Sequence, residues 1–267
     1  MTTENNIKIE IRDLTMAYGS FVVMRDINVK IKRGEIFIIM GGSGCGKSTL
    51  LRHMIGLKQP AKGDVYYDGV AFWTSDENAR VEKLRSFGVL FQGGALWSSM
   101  TLAQNIELVL GEYTEYPASE IRAIARLKLA LVGLKGFEDY YPAEISGGMC
   151  KRAGLARALA LDPDVLFFDE PSAGLDPISS RNLDNLILQL RDTLGATFVV
   201  VTHELASIFT IGDNSVFLDP NTRTMRARGN PRDLLKNSSD PAVLEFLTRG
   251  ESSAKAGAAQ PINQGVI

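Results

Sequence analysis

Residues 7–11 (Ile-Lys-Ile-Glu-Ile) alternate apolar and polar side chains, the period of a strand with one buried face. Residues 22–31 repeat the signal with a turn expected at Asp26, and Lys32-Arg33-Gly34 ends the segment. Residues 35–40, 165–168 and 197–201 differ, because Ile-Phe-Ile-Ile-Met, Val-Leu-Phe-Phe and Phe-Val-Val-Val are unbroken apolar runs. Runs of that length read as strands buried on both faces, as in a parallel sheet. Residues 64–68 and 87–91 add two further strands, the first turned at Asp68-Gly69. Helices are expected over 48–55, 75–86, 101–113, 117–134, 149–161 and 178–194, the last with Leu183, Ile187, Leu190 and Leu194 in one stripe. Residues 215–218 and 224–227 read as a hairpin around Asp219-Pro220-Asn221, and Asp240-Pro241 opens a short helix to Leu247.

Strands alternating with helices predict an α/β protein with a mostly parallel sheet flanked by helices. Between the strands at 87–91 and 165–168 lies a helical insert of about residues 93–160. One domain is expected over 1–248, and a disordered tail over 249–267, where small and polar residues dominate.

The chain has 267 residues, 45% of them hydrophobic and 22% charged, which is ordinary for a soluble globular protein with ample core. A formal net charge of −2 argues against general nucleic-acid binding. Two cysteines, Cys45 and Cys150, are too few for a disulfide framework, and a reducing compartment is expected. The first ten residues are polar and acidic, unlike a signal peptide, and no apolar run is long enough to span a bilayer. Any membrane role would come through a partner.

The chemistry concentrates at the ends of the apolar strands. Gly41-Gly42-Ser43-Gly44-Cys45-Gly46-Lys47-Ser48-Thr49 fits G-x-x-x-x-G-K-[ST], between an expected strand and an expected helix. Glycines there let successive N–H groups turn towards phosphate oxygens, and the helix start adds its positive dipole end. Lys47 is expected at the β- and γ-phosphates, and the Ser48 hydroxyl on Mg²⁺. A glycine-rich turn binding nothing is the competing reading, and the full pattern in that context disfavours it. Asp169 and Glu170 end the 165–168 strand, where ligands of parallel sheets bind. Asp169 is expected to hold Mg²⁺ through a water, and Glu170 to be the base for an attacking water.

Other positions are ambiguous when read singly. Gln92, just past a strand, is suited to Mg²⁺ or an attacking water, but from position alone a surface Gln capping the turn is the first reading. Ser146-Gly147-Gly148 at a helix start is an anion site or an ordinary N-cap. His203 follows a buried strand and suits a γ-phosphate, although a lone His is more often structural. Tyr18 alone reads as a strand-end packing residue. The loop pair Leu96-Trp97 is either an exposed socket or a buried anchor.

Together these elements form a series, and in this order the chain resembles the ATP-binding subunit of ABC transporters over nearly its whole length. The matching segments are Tyr18, the phosphate loop, Phe91-Gln92, Ile145-Ser146-Gly147-Gly148-Met149, residues 165–170, residues 172–176 and His203. The Ser-Gly-Gly element is the specific one, since other P-loop NTPases lack it. The resemblance implies a P-loop NTPase core with an N-terminal antiparallel β-subdomain and an inserted α-helical subdomain, using ATP and Mg²⁺. It implies a head-to-tail dimer of identical chains, in which Ser146 and Gly148 of one subunit bind the γ-phosphate held by Lys47 of the other. Tyr18 would stack on adenine, Gly147 and Asp176 would join the nucleotide site, Gln92 and His203 would assist Glu170, and Gln92, Ser48 and Asp169 would hold the metal. Met149 stands where the family has Gln, and Gly42 where it has Pro. Neither change removes a phosphate or metal ligand, so a competent ATPase is expected.

Ser-Gly-Gly-Met with Lys151-Arg152 behind it, Phe91-Gln92-Gly93-Gly94-Ala95-Leu96 before Met100-Thr101, and Asp240-Pro241 to Phe246-Leu247 resemble the ATPase of Mla/MCE-type phospholipid transporters. That resemblance implies an integral membrane permease near the loop at 93–100 and Glu144, an MCE-domain protein in the wider complex, and a place on the cytoplasmic face of the inner membrane. An ABC transporter for another solute is the alternative. A soluble ABC ATPase acting on ribosomes or DNA fits poorly, without a second nucleotide domain, long coiled coils or basic charge.

Overall fold

The computed structural model describes residues 6–249, so all of the expected disordered tail except Arg249 lies outside the described residues. β1 (Ile7–Tyr18) and β2 (Phe21–Lys32) form a hairpin about Gly19-Ser20. β2 is not broken at Asp26. Asp26 takes φ 55°, the β1–β2 register shifts nearby, and the Asn28 amide donates to the Asp26 carbonyl. An extra residue is absorbed as a bulge, so the ladder continues where the sequence reads as a turn.

β3 (Ile36–Gly41) leads into α1 (Lys47–Met54). β4 (Lys62–Tyr67) and β5 (Val70–Ala71) then join the hairpin in an antiparallel sheet of order β2-β1-β4-β5. α2 (Glu77–Arg85), capped by the Asp76 carboxylate, precedes β6 (Phe87–Leu90). The insert holds α3 (Leu102–Tyr113), α4 (Ala118–Leu131) and α5 (Gly147–Ala158). Thr101 and Gln104 close a capping box at the start of α3.

The chain returns through β7 (Val165–Asp169), α6 (Pro177–Leu194) and β8 (Thr197–Val201). It ends in α7 (Leu205–Ile211), the hairpin β9 (Asn214–Asp219) and β10 (Thr224–Gly229), α8 (Pro231–Asn237) and α9 (Pro241–Leu247). The second sheet has order β10-β9-β3-β8-β7-β6, and all its pairings are parallel except β9–β10. The α/β architecture with a separate antiparallel sheet is the one the sequence implied.

Strand alternation divides the core. Ile36, Ile38, Met40, Leu166, Phe168, Phe198 and Val200 face a cluster shared with the helices of the insert and with α6. Phe37, Ile39, Phe167, Val199 and Val201 face a second cluster with α1 and the antiparallel sheet. Each such side chain leaving water stabilises the fold by about 1.5–3 kcal/mol before entropy is counted. This two-sided burial explains the unbroken apolar runs, and it holds the strand ends rigid where chemistry follows.

Candidate nucleotide site

Register brings the carboxyl ends of four strands together: Ile39 and Asp169 both pair with Val201, and Leu90 pairs with Phe168. The phosphate loop, Gln92, Asp169-Glu170 and His203 therefore emerge along one edge of the sheet. Gly41 takes φ 151°, and a Cβ there would lie 2.5 Å from the Leu218 carbonyl oxygen. Only glycine fits. Gly46, at φ 93°, opens α1 with no side-chain cap, which leaves first-turn N–H groups free for an anion.

Lys47 is buried, and its ammonium donates to the carbonyls of Gly41 (2.9 Å) and Gly42 (3.0 Å). The Ser48 hydroxyl donates to Asp169 Oδ1 at 2.9 Å. A hydroxyl and a carboxylate oxygen side by side are the hard donors that Mg²⁺ takes. Among the described residues no cluster of three or more His, Cys, Asp or Glu gathers to cage a metal. That donor set fits an ion completed by phosphate oxygens and water.

Glu170 sits at φ 50°, and its N–H donates to the Val201 carbonyl. Its carboxylate meets His203 Nδ1 at 2.9 and 3.0 Å, so Nδ1 carries the donated proton. The Cys45 thiol, buried within the loop, is pushed up from its ordinary pKa by desolvation, which disfavours the thiolate.

A cavity of about 880 Å³ opens here, a size suited to a nucleotide. All of the phosphate loop except Gly41 and Cys45 lines it, together with Gln92, Glu170 and His203. Tyr18 does not line it. The Tyr18 ring carries the Lys58 ammonium 3.9 Å from its centroid, and a hydrogen bond with Thr49 lowers the pKa of its hydroxyl. Its cross-strand partner Phe21 lines the cavity instead, backed by the Arg223 guanidinium at 5.0 Å. Phe21, Glu245, Phe246 and Arg249 are lining residues to which the sequence assigned no site role, although Phe246 falls in the 240–247 segment quoted for its resemblance.

Ser146, Gly147, Gly148 and Asp176 form a second group outside the cavity. Ser146 caps α5 by accepting from the Met149 N–H at 3.3 Å, and Asp176 caps α6 through the N–H groups of Ile178 and Ser179. A Cβ on Gly148 would lie 3.7 Å from Ser179, so the two caps are neighbours. Both cap serine and cap aspartate are exposed. The loop pair splits: Leu96 packs against the core, whereas Trp97 is 59% exposed. Buried Asn105 shapes that loop, accepting from the Trp97 N–H and donating to the carbonyls of Trp97, Met100 and Thr101.

A phosphate loop beside a hydroxyl–carboxylate pair and a Glu–His pair, at adjoining ends of a parallel sheet, defines a nucleoside-triphosphate-binding α/β domain. The chain belongs to the ABC transporter family, whose model matches residues 24–173. It is thus an ATP-binding, ATP-hydrolysing domain of that family. The chain is 42% identical over 241 residues to the probable ribonucleotide transport ATP-binding protein mkl of Mycobacterium tuberculosis, covering 90% of this chain but 66% of that one. It is 38% identical to the intermembrane phospholipid transport system ATP-binding protein MlaF of Haemophilus influenzae, covering 93% and 92%. Among solved structures it is similar to cbiO1 of Clostridium perfringens, part of the ABC transporter complex cbiONQ (TM-score 0.79, 26% identity, 94% and 98% covered). It is also similar to the dimeric post-hydrolysis state of the ATP-binding cassette MJ0796 with ADP and Pi (TM-score 0.73, 29% identity, 83% and 98% covered).

Proposed function

We propose that two copies of this chain close head to tail on two ATP molecules, and that hydrolysis reopens them to drive a membrane permease for phospholipid. The observation that carries the reading is the separation of two groups on one chain. Lys47, Ser48, Glu170 and His203 line one cavity, with Asp169 joined to it through the Ser48 hydroxyl, while Ser146 and Asp176 stand exposed outside it. A second copy, related by two-fold symmetry, supplies the missing wall twice. The dimeric MJ0796 cassette supports this arrangement.

In the closed dimer Lys47 leaves its loop carbonyls for the β- and γ-phosphates, and first-turn N–H groups of α1 hold the same anion. Ser48, Asp169 and Gln92 would hold Mg²⁺, which supplies charge neutralisation on the phosphate oxygens. Glu170 accepts the proton of the attacking water, His203 fixes the direction of its carboxylate, and Gln92 orients the water. Ser146 and Gly148 of the facing subunit contact the γ-phosphate, and Gly147 and Asp176 complete that wall.

The phospholipid substrate rests on MlaF, which matches over nearly its whole length. The mkl relatives carry a ribonucleotide transport name, which favours another solute as the second reading. Exposed Trp97 and the loop near Glu144 suit a permease contact. Among the described residues no helix is long and apolar enough to cross a membrane, so the permease would hold the chain at the cytoplasmic face of the inner membrane. Affinity extraction from native membranes in mild detergent tests the substrate. A permease with an MCE-domain protein and bound phospholipid is expected; a permease with a solute-binding protein replaces the lipid reading.

A further inference from the structure

Lys151, on the helix that Ser146 caps, is 7% exposed, yet it carries an ammonium group. Its Nζ donates to the Gln92 carbonyl and, at 3.4 Å, to the Glu170 carbonyl. These two carbonyls lie just past the ends of β6 and β7, which are hydrogen-bonded neighbours. Three residues further along α5, Gly154 lets the helix approach so closely that a Cβ there would lie 2.9 Å from the Gly94 carbonyl oxygen. Three residues further again, the Arg157 guanidinium donates to the carbonyls of Ala95 (2.6 Å) and Gly94 (3.1 Å). One stripe of α5, spaced i, i+3, i+6, therefore clamps the backbone from Gln92 to Ala95.

We infer that Lys151 is a positioning residue, which ties the Ser146 end of α5 to the peptide groups that carry Gln92 and Glu170, so that a load on Ser146 reaches the hydrolytic centre of the same chain. This rests on the reading above, in which Glu170 and Gln92 serve hydrolysis and Ser146 touches nucleotide held by the facing copy. The Glu170 peptide is held from both sides, with its N–H on the Val201 carbonyl and its own carbonyl on Lys151. Its left-handed backbone thus has little freedom to swing the carboxylate away from His203. A buried side chain that only filled space would be apolar. Burial disfavours the charged form of Lys151, and the Glu170 charge opposes that shift. The ammonium is retained where three donors meet two carbonyls and bridge two strand ends.

Lys151→Met, in the full chain, is the test. The expected result is a folded dimer-competent protein that binds ATP within about two-fold of the parent, with kcat at least ten-fold lower and KM little changed; Lys151→Arg restores most of the turnover. Should the methionine variant not fold, Lys151→Gln keeps one amide donor, and a selective loss of kcat is expected of it as well. Parent-like kcat in Lys151→Gln or Lys151→Met, alongside an inactive Glu170→Gln, overturns the role of Lys151 alone. Parent-like turnover in Glu170→Gln overturns the reading of the site, and this inference with it.

Discussion

His203 Nδ1 lies 2.9 Å from Glu170 Oε1 and 3.0 Å from Oε2, and joins the end of β8 to the end of β7. The pair is asymmetric in exposure: the His203 side chain is 53% exposed and that of Glu170 only 12%. The carboxylate is therefore aimed by a donor that solvent and ligand can reach. Such an arrangement suits a base whose direction is set before substrate arrives.

Glu170→Gln keeps the shape of the site but removes the proton acceptor proposed for it. ATP binding is expected to persist while turnover falls by about 100-fold or more. Retained nucleotide should then accumulate as a dimer, visible by size-exclusion chromatography. Turnover at the parent rate would exclude Glu170 as the base. His203→Ala should lower kcat less severely, because it loosens the carboxylate without removing it.

Ser48 and Asp169 are 2.9 Å apart, on α1 and β7, and are brought together by tertiary structure. Asp169→Asn removes a negative oxygen from that pair. The Mg²⁺ concentration for half-maximal turnover should rise by about ten-fold, a loss of about 1.4 kcal/mol of coupling. A titration of activity against Mg²⁺ at saturating ATP reads it directly. An unchanged midpoint would show that Asp169 does not face the ion.

The positions proposed as catalytic stand out in the sequence because they follow unbroken apolar runs, and a strand buried on both faces ends where polar groups can first reach solvent. The Asp26 bulge was not legible, since a residue at positive φ within a strand looks like a turn when the partner strand is unknown. α7 and α8, of seven residues each, are too short to show a helical period, and packing rather than sequence fixes them. The Leu96-Trp97 pair defied a single reading because its two members do opposite things. Lys151 looked like half of a basic pair, and only the approach of α5 to Gln92 reveals its partners. Phe21 entered the cavity through the register of a two-residue turn, which no composition signal encodes.

Asp184 on α6 is buried, and its carboxylate accepts from the Ser207 hydroxyl of α7 at 2.9 Å. Burial pushes its pKa from the ordinary 3.8 up to about 6, against the lowering effect of that hydrogen bond. A raised folded-state value means that the folded protein holds the proton more tightly than the unfolded chain does. The associated stabilisation is complete below pH about 4 and is lost as pH rises through about 6. Asp184→Asn mimics the protonated form, so it should leave stability at pH 4.5 little changed and raise it at pH 8 by about 1–3 kcal/mol. Urea unfolding of both proteins at the two pH values is the measurement. Equal effects at both would show that burial of the charge costs nothing.

Gly154 sets two opposing effects against each other. In a helix interior, glycine is about 1 kcal/mol worse than alanine, so Gly154→Ala should stabilise an isolated α5. In the fold, the added Cβ would lie 2.9 Å from both the Gly94 carbonyl oxygen and a Leu90 methyl, and 3.1 Å from Gly94 Cα. Two of these three atoms belong to Gly94, whose carbonyl accepts from Arg157, so the loop cannot yield without straining that hydrogen bond. Overpacking of this kind costs about 1–3 kcal/mol, more than the helix gains. The variant should therefore melt a few degrees lower than the parent, roughly 2–4 °C for each net kcal/mol in a domain of this size. Its kcat should fall as well, because α5 is pushed away from Gln92. A higher melting temperature would mean that α5 does not press on the loop as closely as the contact distances require.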